Sequence, residues 1–223
     1  LLTLNVRTGQ QLWSRQRPVD SAPLSDGEVV VTSYDRQLVG FRASDGRLLW
    51  TNRVTDALAG PIVLSGGWLV VGLETGVLVA FRSSDGERLW ERDLGAAISV
   101  KPSLSGDRLY VPLTDGRIKT LSLITGVAIW EKRLTGIPQE ILPLDSLFVG
   151  STDNFFYRLS VTDGEEEWYW RTGGDIIGLP VVDDQNVYFS SLDNFVWALD
   201  RQNGSQRWRQ ALDGRPISSP FRI

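Results

Sequence analysis

A glycine followed four residues later by a tryptophan recurs along the whole chain, and no other feature of the sequence constrains the fold as strongly. Six of the nine tryptophans in this 223-residue chain lie in that register, at intervals of 37 to 40 residues. A fixed period of this length is typical of a repeat architecture in which each repeat forms one supersecondary unit. The pairs are Gly9 and Trp13, Gly46 and Trp50, Gly86 and Trp90, Gly126 and Trp130, Gly164 and Trp168, and Gly204 and Trp208.

A second marker lies ten residues before each of the later five glycines. Glycine and asparagine tolerate a positive φ, and aspartate suits the position before them, so the marker predicts a tight turn in every repeat. The marker residues are Arg36, Gly76, Gly116, Asn154 and Asn194, preceded by Asp35, Thr75, Asp115, Asp153 and Asp193.

Each repeat contains four short segments rich in β-branched and aromatic residues, separated by Gly, Asp and Asn turns. Such segments predict strands, and a four-strand unit of about 40 residues predicts one blade of a β-propeller. We therefore expect an all-β fold of four-stranded antiparallel blades, five complete and one partial, in a single domain over 1–223. The chain is then either a six-bladed ring or an arc of a larger one. The repeats fall near 1–13, 14–50, 51–90, 91–130, 131–168 and 169–208, with the start of another strand in 209–223.

The composition excludes several kinds of chemistry. The chain has no histidine and no cysteine, which removes the commonest general base, thiol nucleophiles and metal sites built on these residues. Its net charge of −4 argues against a nucleic-acid partner, because phosphates select a basic surface. The apolar stretch 57–81 is interrupted by Pro and Gly, so it predicts buried strands and no transmembrane segment. Since methionine is absent, we expect a mature or excerpted piece and not a complete open reading frame, with any targeting signal outside it.

The repeat resembles the tryptophan-docking motif of the pyrroloquinoline-quinone-type propeller family, whose pattern is A-x-D-x-x-T-G-x-x-x-W. Residues 198–208 match it with Asn203 in place of threonine, and residues 80–90 keep the alanine but have Arg82 and Asp85. The resemblance covers essentially the whole chain. We expect the six tryptophans of the register to be structural contacts between blades, because burying one indole removes about 150–250 Å² from water.

Within this family, the chain is similar to the propellers of outer-membrane β-barrel assembly, which implies a non-catalytic protein-interaction scaffold of the bacterial cell envelope. That resemblance further implies a periplasmic monomer without cofactor, lipid-anchored through a segment not present here, with a protein partner such as the barrel-inserting subunit. Two alternatives stay open. One is a fragment of a quinoprotein dehydrogenase, for which the family implies pyrroloquinoline quinone, calcium and a catalytic aspartate. The other is an extracytoplasmic sensor or ligand-binding propeller.

We expect the partner to bind at the rim formed by the tight turns and by the loops between repeats. Isoleucines exposed beside acidic turns would form an apolar patch surrounded by charge, which is typical of protein-binding surfaces. Two alternatives are that the isoleucines fold inward and fill the central channel, and that the aspartates stabilise their own turns. No residue is predicted to be catalytic, cofactor-binding or metal-binding. The predicted rim residues are Glu74, Asp115, Asp153, Asp193, Ile98, Ile137, Ile176, Ile177 and Ile217.

Overall fold

A computed structural model describes residues 1–16, 18–60, 62–217 and 219–220 of the chain. All regular secondary structure within these residues is β-strand, so the all-β prediction is confirmed. The strands fall in two compact units, 1–97 and 98–223. The single domain expected over 1–223 stays a prediction.

The first unit holds a two-stranded sheet and two four-stranded blades, all antiparallel. The two-stranded sheet pairs β1 (Leu2–Leu4) with β2 (Gln11–Ser14). Blade I consists of β3 (Leu24–Ser25), β4 (Val29–Tyr34), β5 (Gln37–Arg42) and β6 (Leu48–Arg53). Blade II consists of β7 (Val63–Ser65), β8 (Trp68–Gly72), β9 (Val77–Arg82) and β10 (Arg88–Asp93).

The second unit holds three four-stranded antiparallel blades. Blade III consists of β11 (Ser103–Ser105), β12 (Arg108–Pro112), β13 (Arg117–Ser122) and β14 (Ala128–Arg133). Blade IV consists of β15 (Pro138–Pro143), β16 (Ser146–Ser151), β17 (Phe155–Ser160) and β18 (Glu166–Arg171). Blade V consists of β19 (Ile176–Val182), β20 (Asn186–Ser191), β21 (Phe195–Asp200) and β22 (Gln206–Ala211).

The strands of every blade pair in chain order, and we name them A to D. Antiparallel order places the B–C turn and the loop after strand D at one end of the sheet, and the A–B and C–D turns at the other. The marker residue of each B–C turn has a positive φ, between 59° and 89°, so the predicted tight turns are confirmed.

The hydrophobic core is formed mainly by the B and C strands of the blades. Every residue of β16 is buried, whereas every residue of β22 is exposed. Where blades IV and V meet, the rings of Phe156 and Phe189 stack with centroids 4.1 Å apart. The B and C strands are covered on both faces, so their sequences are near-continuous apolar runs. The sequence of β16, with Leu, Phe, Val and Gly between two serines, is an example.

The apolar stretch 57–81 forms β7, β8 and most of β9, which agrees with the predicted buried strands. Within the described residues, the chain contains no helical segment with the length and apolar character needed to cross a bilayer. The start of a further strand was expected in 209–223. Residues 209–211 end β22, the described residues after them form no strand, and 218 and 221–223 lie outside the described residues. Ser219 and Pro220 are described and form no strand.

Four tryptophans of the register are followed by another blade in the same unit, and each of them reaches the C–D turn of that blade. There the indole N–H donates to a backbone carbonyl three residues before the register glycine. A buried indole N–H needs such an acceptor, and the turn supplies it at a constant position. The donor and acceptor pairs are Trp13 and Ala43 (2.7 Å), Trp50 and Ser83 (2.7 Å), Trp130 and Val161 (3.1 Å), and Trp168 and Arg201 (3.1 Å).

Each of these indoles also lies directly on the register glycine of the following blade. A Cβ atom at Gly86 would lie 2.7 Å from the Trp50 ring, and one at Gly204 would lie 2.8 Å from the Trp168 ring. Both glycines have a positive φ, of 74° and 72°. The glycine of each motif therefore leaves room for the indole ring of the preceding repeat. This contact explains why glycine and tryptophan recur together.

The last tryptophan of the register departs from the expected pattern. Trp90 is buried, at 7% exposure, but Trp208 is 46% exposed and its ring contacts Tyr188 of its own blade at 5.8 Å. Within the described residues no further sheet follows β22 to cover it. The prediction that Trp208 is a contact between blades therefore stays a prediction.

Candidate protein-binding rim

The candidate site is the end of the second unit that carries the B–C turns and the loops after strand D, hereafter the rim. In each of its blades, the residue that follows strand D donates a backbone hydrogen bond to the carbonyl of the marker residue in the B–C turn. The turn and the departing loop are therefore held together at a fixed position. These pairs are Leu134 and Gly116 (2.9 Å), Thr172 and Asn154 (2.9 Å), and Leu212 and Asn194 (2.8 Å).

Asp153 joins the B–C turn of blade IV to the loop that enters the blade. Its Oδ2 accepts hydrogen bonds from the Thr135 hydroxyl, from the Gly136 N–H at 3.0 Å and from the Tyr157 hydroxyl at 2.8 Å. Its Oδ1 accepts the N–H of Phe155, two residues on, at 3.1 Å. This is an Asx-turn, the local chemistry that favours aspartate before a positive-φ residue.

These contacts shift two pKa values in opposite directions. Burial alone would raise the pKa of Asp153, but the hydrogen bonds from Thr135 and Tyr157 stabilise its carboxylate and hold the pKa below the ordinary value. The pKa of Tyr157 is raised by burial and by its hydrogen bond to the Asp153 carboxylate. Asp153 is therefore ionised and Tyr157 neutral at physiological pH, and the carboxylate has a structural role.

Asp193 repeats this arrangement in blade V. Its Oδ2 accepts the N–H of Gly173 at 2.9 Å, and its Oδ1 accepts the N–H of Phe195 at 3.2 Å. The indole N–H of Trp197, four residues after Asp193 as Tyr157 is after Asp153, lies 3.4 Å from the same Oδ1.

Asp115 of blade III is bound within its own blade. Its Oδ1 accepts the Arg117 N–H at 3.2 Å, and its Oδ2 lies 2.6 Å from Arg117 Nε and 3.7 Å from Arg133 Nη2. Burial would raise the pKa of Asp115, but the hydrogen bonds from Arg117 lower it. Glu74 lies in the first unit, where its side chain is exposed and its N–H donates to Ala57 at 3.0 Å. The three aspartates of the rim thus stabilise their own turns and loops, which was the alternative interpretation.

The predicted isoleucines divide into three groups. Ile98 and Ile176 are buried, at 8% and 1% exposure, so their assignment to an exposed rim is wrong. Ile176 is the first residue of β19, and its side chain fills the space above Gly150 in blade IV. Ile137 and Ile177 are half-buried, and only Ile217, at 94% exposure, projects freely.

The rim carries aromatic and arginine side chains that the prediction did not include. In blade IV, the ring of Tyr169, which is 58% exposed, meets the edge of Phe155 at 5.6 Å and lies 6.4 Å from Tyr157. The Cζ of Arg171 lies 5.9 Å from the centre of the Phe155 ring.

Blade V has a corresponding cluster. The rings of Phe195 and Trp197 lie 5.9 Å apart, and Arg209 lies over both. Trp170 of blade IV contacts Trp197 at 6.0 Å. A sequence signal for both clusters exists, because Asp-Asn-Phe followed by an aromatic residue two positions on occurs at 153–157 and again at 193–197.

The quinoprotein alternative requires a calcium ion held by carboxylates. Within the described residues, no three acidic side chains come together in a group that could hold a metal ion. The rim aspartates already accept hydrogen bonds from their own turns. The quinone and calcium that this alternative implies stay a prediction.

The four-stranded antiparallel blades, which contact one another through the register tryptophans, assign the chain to the β-propeller class of repeat proteins. The family model described as outer membrane protein assembly factor BamB matches residues 1–141 and 134–221. The chain belongs to this family of pyrroloquinoline-quinone-type repeat propellers. Among curated proteins, no match to the sequence is found.

Solved structures with the same fold include BamB and dehydrogenases. BamB from Moraxella catarrhalis is 20% identical with a TM-score of 0.79, over 98% of this chain and 69% of that one. The quinohemoprotein alcohol dehydrogenase ADHIIG from Pseudomonas putida HK5 is 15% identical with a TM-score of 0.67, over 90% of this chain and 43% of that one. A europium-containing methanol dehydrogenase is 12% identical with a TM-score of 0.67, over 85% and 50% of the two chains. At these identities the likeness concerns the fold alone, since one propeller fold serves unrelated functions.

Proposed function

We propose that this chain is a non-catalytic protein-interaction scaffold that acts in outer-membrane β-barrel assembly in the bacterial cell envelope. The observation that carries the proposal is the match of the assembly-factor family model to residues 1–141 and 134–221. The proposal assigns the chain to the periplasm as a monomer without cofactor. Its partner is another subunit of the assembly machinery, of which the barrel-inserting subunit is the first candidate.

The geometry supports the rim of the second unit as the partner-binding surface. Its backbone is fixed by repeated hydrogen bonds between turns and loops, so little conformational entropy is lost when a partner binds. Tyr169 projects from it at 58% exposure, and Ile217, in the segment after strand D of blade V, is 94% exposed. A fixed backbone that presents aromatic and aliphatic side chains is characteristic of interfaces dominated by a few strongly contributing residues.

The test is a calorimetric titration of the purified chain with the periplasmic region of the barrel-inserting subunit from the same organism. We expect Ile217→Asp and Tyr169→Asp each to weaken binding by about tenfold or more, because each removes an apolar contact and buries a charge. Ile124→Asp is the matched control, since Ile124 is 62% exposed but lies in the C–D turn at the opposite end of blade III.

Two results would overturn the proposal. One is that the wild-type chain does not bind the subunit, and the other is that Ile124→Asp weakens binding as much as the rim variants do. The dehydrogenase alternative has its own test, which is reconstitution with pyrroloquinoline quinone and calcium. The proposal expects neither the absorbance of bound quinone nor turnover of an alcohol.

A further inference from the structure

Two arginines at the rim lie on aromatic rings and have no acidic partner among the described residues. In blade V, the Cζ of Arg209 lies 4.7 Å from the ring centre of Phe195 and 5.3 Å from that of Trp197. In blade IV, the Cζ of Arg171 lies 5.9 Å from the ring centre of Phe155. Both side chains are exposed, and neither forms an ion pair within the described part of the chain.

Two other exposed arginines pair with carboxylates, whereas Arg15 of the first unit also lies over an aromatic ring, that of Trp13, without an ion pair within the described residues. Arg207, on the same strand as Arg209, lies 2.5 Å from Asp200, and Arg82 lies 2.8 Å from Asp85. Stacking on a ring holds the guanidinium plane in place but leaves its N–H edge free to donate two parallel hydrogen bonds. Arg171 and Arg209 are therefore positioned as donors that a carboxylate from outside the chain can reach.

The aspartates of the B–C turns in these two blades are already used, whereas Asp175 and Asp213, which are closer to the arginines in sequence, lie in the loops after strand D. The Oδ2 of Asp153 accepts from Gly136 and Tyr157, and that of Asp193 accepts from Gly173. Each aspartate therefore directs its carboxylate into its own turn and loop.

We infer that the rim of blades IV and V binds an acidic peptide segment of the partner protein, whose carboxylates pair with Arg171 and Arg209. The inference rests on the proposed scaffold function and specifies the chemistry of its partner. The chain carries a net charge of −4, so an acidic peptide is repelled in general and its binding requires a local cationic site.

The experiment measures fluorescence anisotropy of a rhodamine-labelled peptide of alternating glutamate and serine, titrated with the intact chain. A peptide of alternating lysine and serine is the control ligand. We expect the glutamate peptide to bind and each of Arg171→Gln and Arg209→Gln to weaken binding by about fivefold or more, since each removes a charge-assisted contact. Arg207→Gln is the matched control variant, because Arg207 lies on the same strand but pairs with Asp200, and we expect a change of less than about twofold.

The inference is overturned if the lysine peptide binds as well as the glutamate peptide, or if Arg207→Gln weakens binding as much as Arg209→Gln. Circular dichroism and thermal unfolding establish that the variants are folded. Titration with the barrel-inserting subunit separates this inference from the proposed function. If the subunit binds the wild-type chain and both arginine variants equally, the inference fails and the scaffold function stands.

Discussion

Arg158 and Trp168 of blade IV donate to the same acceptor, the backbone carbonyl of Arg201 in blade V. The carbonyl oxygen lies 2.8 Å from Arg158 Nη1 and 3.1 Å from Trp168 Nε1. The junction between blades III and IV repeats the arrangement, because Arg108 and Trp130 both donate to the carbonyl of Val161. Each junction of the second unit thus uses an indole and a guanidinium to satisfy both lone pairs of one carbonyl at the C–D turn.

Replacing Arg158 with methionine tests the contribution of the guanidinium. Arg158 is 8% exposed, and its Nε lies 2.6 Å from Glu167. Its removal leaves the Glu167 carboxylate without its cation, so we expect a loss of about 3 kcal/mol in the free energy of unfolding, measured by urea denaturation. Arg207→Met removes an exposed ion pair and should cost less than about 1 kcal/mol. Equal losses in the free energy of unfolding of the two variants would show that the buried contacts of Arg158 add no stability beyond that of an exposed ion pair.

Replacing Trp130 with alanine tests the register tryptophans. The indole donates to Val161 and lies on Gly164, and we expect its removal to cost about 3–5 kcal/mol. Trp208→Ala is the control, because the exposed Trp208 has no following blade within the described residues, and it should cost about 1 kcal/mol or less. Comparable urea midpoints for the two variants would contradict the assignment of Trp130 as a contact between blades.

A pair of glycine substitutions separates packing from backbone conformation in the first unit. Gly86 and Gly66 both have a positive φ, of 74° and 56°, but only Gly86 lies against Trp50. Gly66→Ala should cost about 1 kcal/mol through backbone strain alone. Gly86→Ala adds a Cβ 2.7 Å from the Trp50 ring, so it should cost several kcal/mol more by thermal or urea unfolding. If the two variants unfold at the same temperature or urea concentration, the contact between indole and glycine does not contribute to stability.

The carboxylate of Asp153 makes the stability of the second unit depend on pH. Its pKa in the folded chain lies below the ordinary value of 3.8 because Thr135 and Tyr157 donate to it. Its contribution is therefore fully present above about pH 4 and is lost as the pH falls through the folded-state pKa. We expect Asp153→Asn to unfold at a lower urea concentration than the wild-type chain at pH 7. We also expect its free energy of unfolding to decrease less than that of the wild type between pH 7 and pH 3. An unchanged acid dependence in this variant would contradict the proposed role of Asp153.

The blades could be predicted from the sequence because the information that specifies them is local. Turn residues such as Asn154 adopt the positive φ that their identity favours, and β16 is buried as its continuous apolar run indicates. The contact partner of each tryptophan could not be predicted in detail, since Trp50 lies on Gly86 of the following repeat and not on Gly46 of its own. Contacts between repeats depend on how the blades face each other, and the sequence pattern does not specify that.

The composition of the rim was only partly predicted, because residue type does not determine where a side chain points. Ile176 begins a strand and is buried against Gly150, although its position after an acidic loop suggested exposure. Asp153 turns its charge inward. The two arginines that face outward, Arg171 and Arg209, lie on different D strands and form no compact sequence motif. Their common location at the rim follows from strand pairing, which places Arg171 opposite Phe155 and Arg209 opposite Trp197.

The most direct test of the scaffold account is amide hydrogen exchange, followed by mass spectrometry, on the chain with and without the periplasmic region of the barrel-inserting subunit. The account predicts slower exchange in the rim segments 152–155, 172–175 and 192–195 when the subunit is present. It predicts no change in the C–D turns 123–127, 161–165 and 201–205 at the opposite end of the same blades. Protection confined to those C–D turns, or no protection anywhere, would contradict it.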